Sequence, residues 1–277
     1  RAELAALLEA GGVPLPRDEA RDVIAALLDV PRFWPSANAG APVDASLRES
    51  ALHAVARRCA GAPFAYAVGR SAFRHLTLDV DERVLIPRQE TELLPELVLA
   101  LVREAGGTAV DVGTGSGAIA LSLATEGRFD RVIATDVSDD ALAVARRNVG
   151  LLREALRAPV ELRRGAGLAP LRGDRVRAVV SNPPYIAFGE MTALPASVRD
   201  WEPAVALCCG GDGMDVTVQI VRDAAAVLEP DGVLALEVDA RRAALVAERV
   251  SGDVRYREVA VRLDLTGRER FVTAVRR

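Results

Sequence analysis

The stretch Asp111-Val112-Gly113-Thr114-Gly115-Ser116-Gly117-Ala118 decides the fold. Ahead of it, Thr108–Val112 reads as a short apolar strand; behind it, residues 117–125 carry small and apolar side chains at helical spacing. Glycines at such a strand-to-helix turn permit positive φ and let a ligand come close to the backbone. Asp136 falls nineteen residues beyond Gly117, at the end of the next apolar run, where a carboxylate can accept both hydroxyls of a ribose. The spacing predicts a βαβ unit holding a nucleotide or nucleoside. Gly113, Gly115 and Ala118 also satisfy the looser dinucleotide pattern, so NAD and S-adenosylmethionine both stand open at this point.

Moving outward, strand and helix signals alternate. Residues 132–135 read as a strand, 139–149 as a helix, and two further strands lie near Val160 and at 177–180. A helix through Val221 and Leu228, a strand at 232–238, a helix at 240–250 and an antiparallel pair at 256–263 and 271–275 complete the pattern, with Thr266-Gly267 as the last turn. Such alternation belongs to a parallel sheet covered on both faces by helices. Upstream, Ala20, Val23, Ile24, Leu27 and Leu28 recur at helical spacing behind Pro16, and a second helix is expected from about Ser46 to Cys59. Between the two parts, Phe73, Leu76, Leu78 and Val80, followed by Val84, Leu85 and Ile86, predict a hairpin turning at Asp81-Glu82. The expected division is therefore a helical domain at 1–69, a hairpin linker at 70–88 and an α/β domain at 89–277.

Composition narrows the partners. Half the chain is apolar and the formal charge is −4, so a large core forms and no excess of positive charge is present for nucleic acid. Residues 1–80 hold nine Arg and nine acids, and the remainder 26 and 30, so neither part is basic. Cys59, Cys208 and Cys209 are odd in number and two are adjacent, which excludes a disulfide framework; with only His53 and His75 besides, metal-ligand spacing is missing. No apolar run approaches a membrane span and the first residues do not read as a secretory leader, so a cytoplasmic location without membrane contact is expected.

Ser181-Asn182-Pro183-Pro184-Tyr185 separates the two nucleotide readings. It follows the strand ending at Val180, at the sheet edge where ligands bind. Two prolines stiffen the loop, so the Asn182 side-chain carbonyl and the Pro183 main-chain carbonyl can face one NH₂ group as paired acceptors. An amide or exocyclic amine nitrogen is a poor nucleophile until its hydrogens are gripped, and positioning then supplies the rate. Tyr185 would cover the flat group. Methyl transfer from a sulfonium needs no basic residue beforehand, which favours S-adenosylmethionine.

The chain resembles the HemK/PrmC protein-glutamine N5-methyltransferases over nearly its whole length. The likeness rests on Pro63-Phe64-Ala65-Tyr66 with Gly69 and Phe73; on Val84-Leu85-Ile86-Pro87-Arg88-Gln89-Glu90-Thr91-Glu92; on the glycine loop, Thr135-Asp136-Val137-Ser138 and Ser181 to Ile186; and on Glu202-Pro203, Ala206-Leu207, Gly210-Gly211-Asp212-Gly213 and Leu236-Glu237-Val238. The resemblance implies a seven-stranded Rossmann-like class I methyltransferase sheet with its last strand antiparallel, behind a small helical N-terminal domain and a β-hairpin linker. It implies methylation of the glutamine of the Gly-Gly-Gln motif in class 1 peptide chain release factors, by a monomer. Gly113, Thr114, Gly115, Ser116, Gly117, Asp136, Gly167 and Asn182 would hold the cofactor, Asn182, Pro183, Pro184 and Tyr185 the substrate amide, with Asn182, Pro183 and Tyr185 as the catalytic set.

The chain departs from the family pattern at Gln89, at Ala166 and Gly167 beside the adenine position, at Arg177 and at Asp239. One lost charged hydrogen bond weakens a site by about one to two decades in affinity. Two other readings share these residues: a nucleic-acid amino methyltransferase acting on adenine N6 or guanine N2, and a weakened, non-catalytic release-factor-binding homologue. Trp34 and Trp201 read as packing anchors, His53 and His75 as surface or packing residues, and Cys208-Cys209 as small apolar filling. Glu237 stands at a strand end, either bordering the site or purely structural.

Overall fold

The computed structural model describes residues 1–102, 106–171 and 173–277. Five helices come first: α1 (Ala2–Ala10), α2 (Pro16–Leu28), α3 (Trp34–Ala37), α4 (Ala45–Cys59) and α5 (Phe64–Val68). Pro16 opens α2 where a missing N–H costs nothing, and Asp44 caps α4 by accepting the Leu47 N–H at 2.7 Å. Leu4, Leu8, Val23, Ala54 and Val55 bury their side chains in one small core between α1, α2 and α4.

A hairpin follows, formed by β1 (Arg70–Phe73) and β2 (Leu76–Asp79). It turns at Arg74-His75, not at the expected Asp81-Glu82, and residues 84–86 form no strand. The reason lies in what meets the end of β2. The Asn148 amide exchanges two hydrogen bonds with the Asp79 backbone, at 2.7 and 2.9 Å, and so ends the strand. Asp81 is then held by Arg83 and Arg147. Arg74 takes a left-handed φ of 54°, and its guanidinium is fixed in place by both carboxylate oxygens of Glu126.

The remaining chain builds the expected sheet. α6 (Leu93–Leu101), β3 (Thr108–Val112), α7 (Ala118–Glu126), β4 (Arg131–Asp136), α8 (Asp139–Leu151), β5 (Val160–Arg164) and β6 (Val176–Ser181) come in turn. The two-residue strands β7 (Ile186–Ala187) and β8 (Cys208–Cys209) pair with each other, separated by α9 (Ala196–Arg199) and α10 (Ala204–Leu207). α11 (Asp215–Val227), β9 (Leu228–Glu237), α12 (Ala243–Ser251), β10 (Tyr256–Leu263) and β11 (Glu269–Arg276) finish the fold. The seven strands lie in the order β10-β11-β9-β6-β3-β4-β5, with β11 antiparallel to both neighbours.

Every residue of β3 is buried, as a central strand covered on both faces requires. Val110 and Val112 face a core with Ile220, Ala224 and Val246, whereas Ala109 faces one with Leu94, Leu121 and Phe271. The chain proceeds outward from β3 in one direction through β4 and β5 and in the other through β6 and β9. The order therefore reverses beside β3, and the crevice outside the strand ends there is where such sheets bind ligands.

Candidate active site

At that crevice lies a cavity of about 320 Å³. Gly113, Gly115, Asp136, Gly167, Asn182, Pro183 and Pro184 line it, so residues from four separate loops meet at one wall. Val112 of β3 pairs with Ser181 of β6 and with Thr135 of β4, which sets the three loops side by side. Ser181 Oγ donates to Val112 O at 2.6 Å and fastens the second loop to the first.

The glycine loop is held from behind. Gly113 and Thr114 both donate backbone N–H groups to Thr135 O at 2.9 Å, and Gly115 N–H goes to Asp136 Oδ2 at 2.9 Å. Thr114 and Ser116 are buried and do not line the cavity: the Thr114 hydroxyl donates to Asp111, and Ser116 O accepts from the Asn148 amide. Gly117 also stands behind the wall. With φ of 87°, it has Leu121 and Ala145 against the place a Cβ would occupy. Gly113, Gly115 and Gly167 instead have nothing within 4 Å of that place and positive φ, so they leave an open cradle along the backbone.

Asp136 accepts the Gly115 and Ser138 N–H groups, one on each oxygen at 2.9 Å. Each oxygen retains a further lone pair, a geometry suited to two neighbouring hydroxyls. Asp111 is completely buried. Burial first, with repulsion from Asp136, pushes its carboxyl up to about 7, against hydrogen bonds from Thr114 and Ala120; among the described residues its Oδ1 has no partner.

In the Asn182 loop, the side-chain Nδ2 donates to Thr91 Oγ1 at 3.1 Å. Thr91 lies on the 3₁₀ turn Glu90–Glu92, so the segment from Pro87 is brought against the Asn182 amide. Tyr185 does not line the cavity; burial, and then the negative charge of Glu237, pushes its phenol up to about 12. The Tyr185 carbonyl packs where a Cβ on Gly213 would stand, so glycine is required there. Glu237, at the end of β9, is 1% exposed, and burial pushes its carboxyl up to about 7.

Part of the wall was not assigned to the site from the sequence. Arg83, Val84, Leu85, Val205, Ala206, Cys208 and Cys209 line the cavity from the segment after the hairpin and from α10 and β8. These two segments are drawn together by the pair Arg88–Glu202, at 2.6 Å with the Glu202 side chain 1% exposed, and by Glu202 accepting the Ile86 N–H. Tyr66 of α5 donates to Val84 O at 2.5 Å, and Arg57 of α4 stacks over Trp201 at 5.9 Å. His53 and His75 are exposed, away from the cavity. Among the described residues no group of three His, Cys, Asp or Glu side chains could hold a metal ion, and no helix is long and apolar enough to cross a membrane.

Residues 1–69 match the PrmC N-terminal domain and residues 89–196 the methyltransferase small domain. The chain is 42% identical to a release factor glutamine methyltransferase of Moorella thermoacetica, over 98% of this chain and 95% of that one. It is 40% identical to that of Mycolicibacterium smegmatis, over 98% and 94%. A methyltransferase from Pyrococcus furiosus shares the fold at a TM-score of 0.52 and 21% identity, over 72% of this chain and 88% of that one. The hMettl16 catalytic domain shares it at a TM-score of 0.58 and 18% identity, over 84% and 82%.

Proposed function

The chain belongs to the release factor glutamine methyltransferase family, and from that premise we propose that it methylates the side-chain amide nitrogen N5 of the Gly-Gly-Gln glutamine in class 1 peptide chain release factors. S-adenosylmethionine supplies an electrophilic methyl group on a sulfonium. The open cradle of Gly113, Gly115 and Gly167 fits a flat, extended nucleoside ligand, and the Asp136 carboxylate is placed to accept its ribose hydroxyls. The observation that carries the reading is that Asn182 and Pro183 line the same cavity as this cradle.

Asn182 Oδ1 and Pro183 O take the two amide hydrogens, which localises the nitrogen lone pair toward the cavity. Tyr185, neutral at physiological pH, stands outside the cavity wall, so the covering role expected of it falls to no residue of this loop beyond Pro184. The nitrogen loses one proton to water once the new bond has formed. The helical segment 1–69 docks the release factor, and the even balance of charge in both parts fits a protein partner without direct nucleic-acid contact; a monomeric, cytoplasmic enzyme is what family membership leads us to expect.

The test is mass spectrometry of a class 1 release factor after incubation with the protein and S-adenosylmethionine. One added methyl on the Gly-Gly-Gln glutamine is expected. No methyl at saturating cofactor, or a methyl on RNA or DNA instead, refutes the proposal.

A further inference from the structure

The sulfur and the base of the cofactor are carried on opposite sides of its ribose ring. With the methyl group at Asn182, beyond β6, and the ribose hydroxyls on Asp136, at the end of β4, the base lies on the far side of Asp136 from Asn182. The next strand in that direction is β5, whose Arg164 pairs with Asp136, so the loop that follows it stands beside the base. That loop gives the cavity wall only Gly165 and Gly167, and Val137 and Ala141 line the wall from the turn after β4 and the first turn of α8.

We propose that this end of the cavity takes the base by shape alone and leaves its 6-amino group unread, so that cofactors substituted on that group bind as the parent does. An aromatic amino group is recognised only by an acceptor, because its own lone pair is delocalised. Of the polar side chains in the wall, Asp136 holds the ribose, and Ser138 Oγ caps α8 by accepting the Ala141 N–H at 3.1 Å. Arg83 only donates, and Asp81 holds it at 2.7 and 2.8 Å. Among the described residues, Asp136 and Asn182 are the only carboxylate and carboxamide that line the cavity, and both are committed elsewhere. The Gly167 carbonyl accepts the Thr135 hydroxyl at 3.1 Å.

The bare wall is built into the loop. A Cβ on Gly165 would stand 2.5 Å from Pro170, which keeps that position without a side chain. At Gly167 the place of a Cβ is open space, so this residue sets how much room the base edge has. A site that hydrogen-bonds an NH₂ rejects the form without it by orders of magnitude, since its buried acceptor is left unpaired; an apolar wall of Val137 and Ala141 carries no such penalty. The φ of 54° at Gly167 is left-handed, a conformation asparagine also adopts, so Gly167→Asn places a carboxamide in the open space.

The inference rests on the cofactor site of the proposed function, and binding without turnover separates the two. Isothermal calorimetry is run on the full chain with S-adenosylhomocysteine and with its N6,N6-dimethyl form, which has no hydrogen left to donate from the 6-amino nitrogen. The wild type should bind the two within about fivefold. A larger loss for the dimethyl form overturns the proposal, since one lost hydrogen bond to a charged acceptor is worth about one to two decades. Gly167→Asn should open a gap of about tenfold or more between the two compounds, and equal binding by this variant overturns the assignment to Gly167. If the variant fails to fold, the wild-type comparison decides alone. A wild type that binds neither compound removes the cofactor site and this inference together. One that binds both alike yet methylates no release factor upholds the inference and refutes only the proposed substrate.

Discussion

Asp136 Oδ2 accepts the Gly115 N–H at 2.9 Å, so the carboxylate that ends β4 also sets the shape of the loop that ends β3. Asp136→Asn keeps one acceptor oxygen and turns the other into a donor facing an N–H group. Cofactor affinity should fall by about one to two decades, with kcat at saturation changed far less. Isothermal calorimetry with S-adenosylmethionine measures it, and unchanged affinity would remove Asp136 from the binding site.

Asn182→Ala should abolish methyl transfer, lowering kcat by about 10³-fold or more, because both the grip on the amide and its direction vanish. Affinity for S-adenosylmethionine should stay within about threefold. Substantial turnover in this variant refutes the role assigned to the loop.

Asp111 ties stability to pH. Its carboxyl is raised by burial to about 7, from 3.8 in an unfolded chain, so the folded state keeps a proton that the unfolded state releases. The stability this proton contributes is complete below the unfolded value and is lost as pH rises through about 7. The wild-type melting midpoint minus that of Asp111→Asn should therefore decrease between pH 5 and pH 8, by several degrees. A constant difference means the carboxyl does not titrate in the fold.

Cys59 is exposed, whereas Cys208 and Cys209 are buried on the cavity wall with burial raising both thiols. An aromatic disulfide reagent should modify one thiol quickly and two slowly. S-adenosylmethionine should slow the second class further and leave the first untouched. Equal rates for all three would place the pair at the surface.

Arg88→Met leaves the Glu202 carboxylate, 1% exposed, without its counter-charge. Arg88 is itself a third exposed, so the expected loss is about 2 kcal/mol, below that of a fully buried pair. Chemical denaturation should show it, together with recovery when Glu202→Gln is added. No recovery would mean Arg88 stabilises through packing.

The part of the cavity wall built by the glycine loop and Asp136 was legible because its determinants are local, although Thr114, Ser116 and Gly117 stand behind that wall. Gly113, Gly115 and Asp136 sit at fixed offsets from two apolar runs, and strand pairing does the rest. That Val84, Leu85, Ala206, Cys208 and Cys209 form a wall of the cavity was not legible, since it depends on Arg88 meeting Glu202 across 114 positions of chain. The hairpin failed for a related reason. Asp81-Glu82 has turn chemistry, but Asn148 from α8 ends β2 ahead of it, and the turn falls on Arg74, a residue with no turn preference. Tyr185 was expected over the substrate amide, but it stands outside the cavity lining, and the approach of its carbonyl to Gly213 shows only in three dimensions.

The pairing of Val112 with Ser181 also sets a timetable for the newborn chain. The ribosome delivers the glycine loop well before the strand that must lie beside it, and Glu237 emerges later still. The two halves of the cavity therefore come off the ribosome at different times, and they meet only once β6 has paired with β3.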